Sequence, residues 1–187
     1  MTPFKSEWTA LTCYPTTLSD AVRGIDIRVQ REPSGSLILR YVLRAKMLRV
    51  RVPPTERPAR ADGLWAHTCF EAFIAPAGAG VSYYELNFSP SRQWAIYSFE
   101  AYRQGMSPTD VTASPELTVR DFDDRLELDA TIALGDLKAL QPARILKLGV
   151  TAVVEDDNGR LSYWALKHAP GKPDFHHTDG FVLELPQ

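Results

Sequence analysis

The chain has 187 residues, of which 44% are hydrophobic and 24% charged, ordinary globular usage that argues against wholesale disorder. A formal net charge of −2 leaves no electrostatic footprint for nucleic acid, and no apolar run is long enough for a membrane-spanning helix. The length suits a single domain, residues 1–187, with its own core.

The first twelve residues carry Lys5, Glu7 and Trp8 but no apolar run ending in a small-residue cleavage site, so no signal peptide is expected. Cys13 and Cys69 lie far apart, and reduced thiols and a cytoplasmic location are the corresponding expectation. Residues 24–31 read as a strand, followed by the turn signal Glu32-Pro33-Ser34-Gly35. Residues 37–44 alternate, with Leu37, Leu39, Tyr41 and Leu43 on one face. Leu48, Val50 and Val52 alternate with Arg49 and Arg51, the pattern of a strand with one wet face. Arg49, Arg51, Arg57 and Arg60 read as a solvated edge rather than a phosphate site, and residues 53–62 as a proline-rich loop.

Strands resume at residues 67–74, 82–88 and 94–99, with turns at 75–80 and 89–91. Residues 101–115 are irregular. Residues 117–120 and 125–134 form a predicted hairpin, and 135–140 one short helix. Residues 145–155 and 160–166 pair across Asp156-Asp157-Asn158-Gly159, a strong hairpin turn, and 181–185 close the chain. Roughly ten strands with little helix predict an all-β fold, a two-sheet antiparallel β-sandwich or a barrel.

Residues 64–76 read LWAHTCFEAFIAP. In a strand Ala66, Thr68, Phe70, Ala72 and Ile74 point one way, and Trp65, His67, Cys69, Glu71 and Phe73 the other. The first set suits a core. The next strand divides alike, Tyr84, Leu86 and Phe88 against Tyr83, Glu85, Asn87 and Ser89. Pairing would bring His67, Glu71, Glu85 and Asn87 onto one face, bordered by Trp65, Phe73 and Tyr83. Aromatic rings cover the C–H face of a sugar while carboxylates and amides fix its hydroxyls, so the pattern points to a carbohydrate or similar small polar metabolite.

A second cluster, HAPGKPDFHHTDG at 168–180, carries His168, Lys172, Asp174, His176, His177 and Asp179 on a loop stiffened by Pro170, Gly171, Pro173 and Gly180. Such a loop presents polar groups at low entropic cost. Arg103, in a Tyr-Arg-Gln-Gly-Met run, could meet an anionic group. The plainer reading stands beside these: outward strand faces are often just solvated, and polar loops often satisfy only their own backbone.

Neither a metal nor a cofactor is expected. His67 and Glu71 would sit about 13 Å apart along one strand, whereas ligand atoms must lie about 2 Å from a shared ion. His176 and His177 are consecutive and point to opposite faces when extended. The chain has no Gly-x-Ser-x-Gly elbow, Walker loop or dinucleotide fingerprint. Cys69 reads as packing. Catalysis is therefore not the leading expectation. A glycan-acting hydrolase using Glu71 and Glu85 stays open, since neighbouring strands can give the required spacing of about 5 Å or about 6.5–9.5 Å. A protein-interaction module is the third reading.

Three stretches, LWAHTCFEAFI at 64–74, YYELNFSPSRQWAIYSFEAYRQGM at 83–106 and SYWALKHAPGKPDFHH at 162–177, resemble the bacterial DOMON-like proteins. These are relatives of DOMON domains and of family-9 carbohydrate-binding modules. The resemblance runs from about Cys13 to Leu185 and implies two antiparallel sheets with a ligand pocket on a concave sheet face. Related domains bind sugars or haem. Trp65, Glu71, Glu85 and Asn87 fall in strands similar to those of the sugar pocket. The sugar modules hold their ligand between two tryptophans, which here implies Trp65 with Trp94 or Trp164. Haem DOMON domains use an axial methionine and histidine, and Met47 and Met106 do not match that pattern.

Overall fold

The computed structural model describes residues 4–78, 82–141 and 143–186. The later part of the turn expected at 75–80 lies outside these residues. The chain opens with strands β1 (Phe4–Lys5), β2 (Thr9–Ala10), β3 (Thr12–Cys13), β4 (Val22–Arg31) and β5 (Ser36–Ala45). There follow β6 (Cys69–Pro76), β7 (Tyr83–Phe88), β8 (Trp94–Phe99) and β9 (Ser107–Pro108). The last five are β10 (Glu116–Asp121), β11 (Arg125–Ala133), β12 (Ile145–Glu155), β13 (Leu161–Ala165) and β14 (Leu183–Pro186).

These strands make two antiparallel sheets, as the alternation predicts. The first runs β1-β4-β5-β11-β10, with β2 also on β4. The second runs β3-β13-β12-β6-β7-β8-β9, with β14 also on β12. Ile25, Ile27 and Val29 of β4, Leu37, Leu39, Tyr41 and Leu43 of β5, and Leu126, Leu128 and Ile132 of β11 all face inward. They meet Phe70, Ala72 and Ile74 of β6, Leu86 of β7, Ile96 of β8 and Leu148 and Val150 of β12. Burying each such side chain stabilises by about 1.5–3 kcal/mol, so period-two alternation on long strands is enough to drive the sheets together.

The outer face of the first sheet is an open lattice of ion pairs. Arg120 bridges Glu127 and Asp129 at 3.0 Å each, Arg125 meets Glu127 at 2.8 Å, and Arg44 pairs with Asp26. Exposed pairs of this kind stabilise by only about 0.2–1 kcal/mol each. The second sheet differs. All six residues of β7 and the first six of β6 are buried, on both faces. Its outer face is therefore covered, and by loops rather than by another sheet.

Three of the expected elements take another form. Residues 48–52 do not form a strand: Met47–Arg49 is a 3-10 turn that leaves Leu48 fully exposed, and Val50 only bridges Asp156. Arg49 enforces this by reaching Asp20 at 2.7 Å and Asp157 at 3.3 Å. Residues 135–140 form no α-helix but two 3-10 turns, Leu134–Asp136 and Lys138–Leu140, which bury Leu134, Leu137 and Leu140 in the core. β6 begins at Cys69 rather than at His67. Gly63, at φ 75°, sets a 3-10 turn over Leu64–Ala66 before it. No helix among the described residues is long and apolar enough to cross a membrane.

Candidate functional site

Register builds the floor of the site. Glu71 on β6 lies opposite Asn87 on β7 and opposite Thr151 on β12. Phe73 lies opposite Glu85 and Gly149, and Glu85 opposite Tyr97 on β8. Glu71 and Glu85 are thus diagonal neighbours on one face, a relation that sets Cα atoms about 7–8 Å apart. Gly149 is required here, because a Cβ would stand 2.8 Å from the Phe181 ring. That ring fills the gap and stacks on Phe73 at 6.0 Å. Tyr83 and Phe99 stack at 4.7 Å, worth about 0.5–1.5 kcal/mol beyond burial.

Above the floor is a cavity of about 370 Å³, within the range of small-ligand sites, about 300–1,000 Å³. Glu71 and Phe73 of β6, Glu85 of β7, Phe99 of β8, Val153 of β12 and Tyr163 of β13 line its base. The turn before β6 contributes Trp65, and the segment after β8 contributes Arg103 and Met106. The loop after β13 closes over it with Pro173, Phe175 and His176.

Burial governs the electrostatics. Glu71 is 2% exposed. Loss of water, and then the neighbouring charge of Glu85, raise its pKa well above the ordinary carboxylate range. The Thr151 hydroxyl stands close enough to favour the ionised form in smaller measure, yet neither Glu71 Oε1 nor Thr151 Oγ1 completes a hydrogen bond among the described residues. Burial raises the pKa of Glu85 too, offset in part by a 2.8 Å hydrogen bond that Asn87 Nδ2 donates to Oε1 and by the charge of Arg103. The two carboxyls titrate as a pair, and burial keeps a proton on that pair above the ordinary carboxylate range.

His176 is pushed down to about 4, chiefly by burial and then by the charge of Arg103. The Arg103 main-chain N–H donates to the Tyr83 hydroxyl at 3.2 Å, and that hydroxyl is hydrogen-bonded to His176 Nδ1 at 2.8 Å. The other ring nitrogen, Nε2, lies 3.8 Å from Glu85 Oε2. Asp174 receives Arg103 Nη2 at 2.8 Å, the Tyr102 hydroxyl, and the His176 main-chain N–H at 3.1 Å.

The residues singled out from sequence divide into three groups. Trp65, Glu71, Glu85, Arg103 and His176 come together at the cavity. Trp65 is 40% exposed and is braced from behind by Tyr97, whose hydroxyl donates to Asp62. Asn87 and Asp174 stand one step back, holding Glu85 and Arg103. The rest lie elsewhere. His67 turns away to Glu155, with Nδ1 2.7 Å from Oε2, because it belongs to the turn before β6 rather than to the strand. His168 Nε2 sits 2.8 Å from the Thr12 carbonyl and so ties down β3. Lys172 is exposed and does not line the cavity.

Trp94 and Trp164 are both in the core, so neither faces Trp65. Tyr163 and Phe175, packed at 5.9 Å, supply the aromatic surface instead. Val153, Tyr163, Phe175 and Met106 were not foreseen. The alternation of β13 carries a signal for Tyr163, because an inward Trp164 forces its neighbour outward. Among the described residues no group of three or more His, Cys, Asp or Glu side chains is placed to hold a metal ion.

No protein-family model matches the sequence, and no curated protein matches it. Solved structures do match its fold. A candidate carbohydrate-binding protein from Bacteroides uniformis superposes with a TM-score of 0.70 at 14% identity, over 94% of this chain and 84% of that one. A family-9 carbohydrate-binding module from Caldicellulosiruptor kristjanssonii, in complex with cellotriose, gives 0.51 at 11% identity, over 88% and 74%. The same organism's module in complex with glucose gives 0.50 at 11%, over 88% and 76%. The chain shares the β-sandwich of these proteins.

Proposed function

We propose that the cavity binds a small carbohydrate and that the chain acts as a non-catalytic binding domain. The observation that carries this reading is the exposed Trp65 ring standing over the same cavity as buried Glu71, Glu85 and Arg103. An indole offers a flat apolar face for sugar C–H groups, while carboxyls and a guanidinium take hydroxyls. The fold it shares with sugar-binding modules supports the same reading. A place among the bacterial DOMON-like proteins is part of this proposal, supported by the three sequence stretches that resemble them.

Titration calorimetry and tryptophan fluorescence against monosaccharides and short oligosaccharides test it. Trp65→Ala is expected to weaken binding about tenfold or more while leaving the melting temperature nearly unchanged, since the ring is half in water. Failure of every saccharide to bind would overturn the reading. Glu71 and Glu85 share a face and a cavity, one requirement of a glycosidase pair. Incubation with aryl glycosides therefore belongs to the same test. Turnover that disappears in Glu85→Gln would replace the binding domain with a hydrolase.

A further inference from the structure

The charges around the cavity do not balance for a neutral ligand. Glu71 is almost wholly buried, lines the cavity and leaves Oε1 without a hydrogen-bond partner among the described residues. Glu85, its diagonal neighbour, is 5% exposed and lines the same cavity. Of the described residues lining it, Arg103 is the one permanent cation, and its guanidinium already sits 2.8 Å from Asp174. Arg103 shares its charge with Asp174 and offsets Glu85 only in part, so the two glutamates lack a counter-charge of their own.

The remaining groups that face the pair do not supply one. Asn87 on β7 and Thr151 on β12 are uncharged, and Tyr83 on β7 and Tyr97 on β8, opposite Glu85, are phenols held protonated by burial. Cys69 on β6 is buried, and its thiol is pushed well up by burial. The Tyr41 hydroxyl approaches from the other sheet and donates to the Glu71 main-chain oxygen at 2.7 Å. His176 packs on Phe73 and Phe99, each at 5.1 Å, and that apolar setting favours its neutral form.

A primary ammonium answers these features together. It has three N–H donors, against one for a sugar hydroxyl. One can meet the Glu71 carboxyl where it lines the cavity and another the Oε2 of Glu85, whose Oε1 is taken by Asn87. Its charge also suits the aromatic wall of Trp65, Tyr163 and Phe175.

We infer that the ligand of this cavity carries a primary ammonium group seated between Glu71 and Glu85, which makes an amino sugar its saccharide and a free aliphatic amine the other source of the same chemistry. The inference rests on the reading that this cavity is the ligand site, and it sharpens that reading. A consequence follows for protons. Burial and mutual repulsion make the empty pair hold a proton more tightly, and an arriving ammonium favours two carboxylates, so binding drives that proton out.

The test is calorimetry at mildly acidic pH, where the amine is protonated, in two buffers of different ionisation enthalpy. The probes are glucosamine, glucose, N-acetylglucosamine and putrescine. Glucosamine is expected to bind at least about tenfold tighter than the two neutral sugars, about 1.4 kcal/mol, and it alone among the sugars should release protons. Glu71→Gln and Glu85→Gln are each expected to abolish the preference and reduce the release. Should either variant unfold by circular dichroism, the proton count on the unaltered protein decides. Neutral sugars binding as tightly as glucosamine, with no proton release, would overturn the ammonium inference and leave the carbohydrate reading standing. Putrescine binding with proton release while no sugar binds would do the reverse. Binding of none of the four overturns both.

Discussion

Glu71 is costly where it sits, and pH exposes the cost. Its folded pKa lies above the ordinary value of 4.5, mainly through burial and then through Glu85. The folded state therefore binds more protons than the unfolded one. Stability from this group is fully present below about pH 4.5 and is lost as pH rises through the folded value. His176 has the opposite sign. Its pKa of about 4, against 6.5 unperturbed, makes the folded ring bind fewer protons, so its contribution is lost as pH falls from 6.5 towards 4. Glu71→Gln keeps the shape and removes the ionisation, so it is expected to melt higher than the unaltered protein by a margin that opens as pH rises past about 4.5 and levels off once the folded value is passed. Thermal melts across a pH series check this, and a margin that stays flat throughout or shrinks would count against the buried, proton-holding Glu71 described above. None of this was visible in the sequence beyond the pairing of two glutamates on one face. Which carboxyl is orphaned depends on Asn87 choosing Glu85, a rotamer decision that no spacing encodes.

At the scale of elements, the site is made by two irregular segments held against each other. Arg103 sits at φ 54°, a left-handed conformation that costs a non-glycine residue about 1–2 kcal/mol. The tight turn holds it there, with Glu100 N–H donating to the Gln104 carbonyl and Gln104 N–H to that of Ala101, both at 3.0 Å. Asp174 then links this turn to the loop that carries Phe175 and His176. The density of polar residues at 168–177 was legible, but their division of labour was not. His168 reaches β3, Asp174 reaches Arg103 and the Tyr102 hydroxyl, and only His176 of the polar residues proposed there lines the cavity, because loop geometry is set by these distant partners. Asp174→Asn removes the charge that Arg103 needs. Losing a charge-assisted hydrogen bond of this kind costs about 1–3 kcal/mol, and the cost should fall locally. Hydrogen exchange is expected to quicken over residues 173–177, ligand affinity to drop, and β4, β5 and β11 to keep their protection. Unchanged protection in the loop would show that Asp174 is not its anchor.

Over the whole molecule, the two sheets are built on different rules. The first wears polar residues on its outer face, and the strict alternation of β4, β5 and β11 announces this in sequence. The second is buried on both sides. Its alternation of Glu71 and Phe73 against Phe70, Ala72 and Ile74 was enough to sort core from site. It was not enough to pair the tryptophans. Trp94 and Trp164 have inward parity on β8 and β13, which becomes readable only once each strand's neighbours are fixed. Tyr41 joins the sheets through more than apolar packing. It rises from β5, packs on Phe70 at 4.9 Å and donates its hydroxyl to the Glu71 carbonyl at 2.7 Å, beneath the site and on the other face of β6. Tyr41→Phe keeps the ring and removes that buried hydrogen bond, which costs about 0.5–1.5 kcal/mol. Denaturant unfolding should show this loss as a lower midpoint with an unchanged slope, because no surface is newly exposed. Ligand affinity should change little, since the Glu71 side chain points away from Tyr41 and into the cavity. If affinity instead falls in step with stability, the site's geometry is held by the core hydrogen bond as well as by the covering loops.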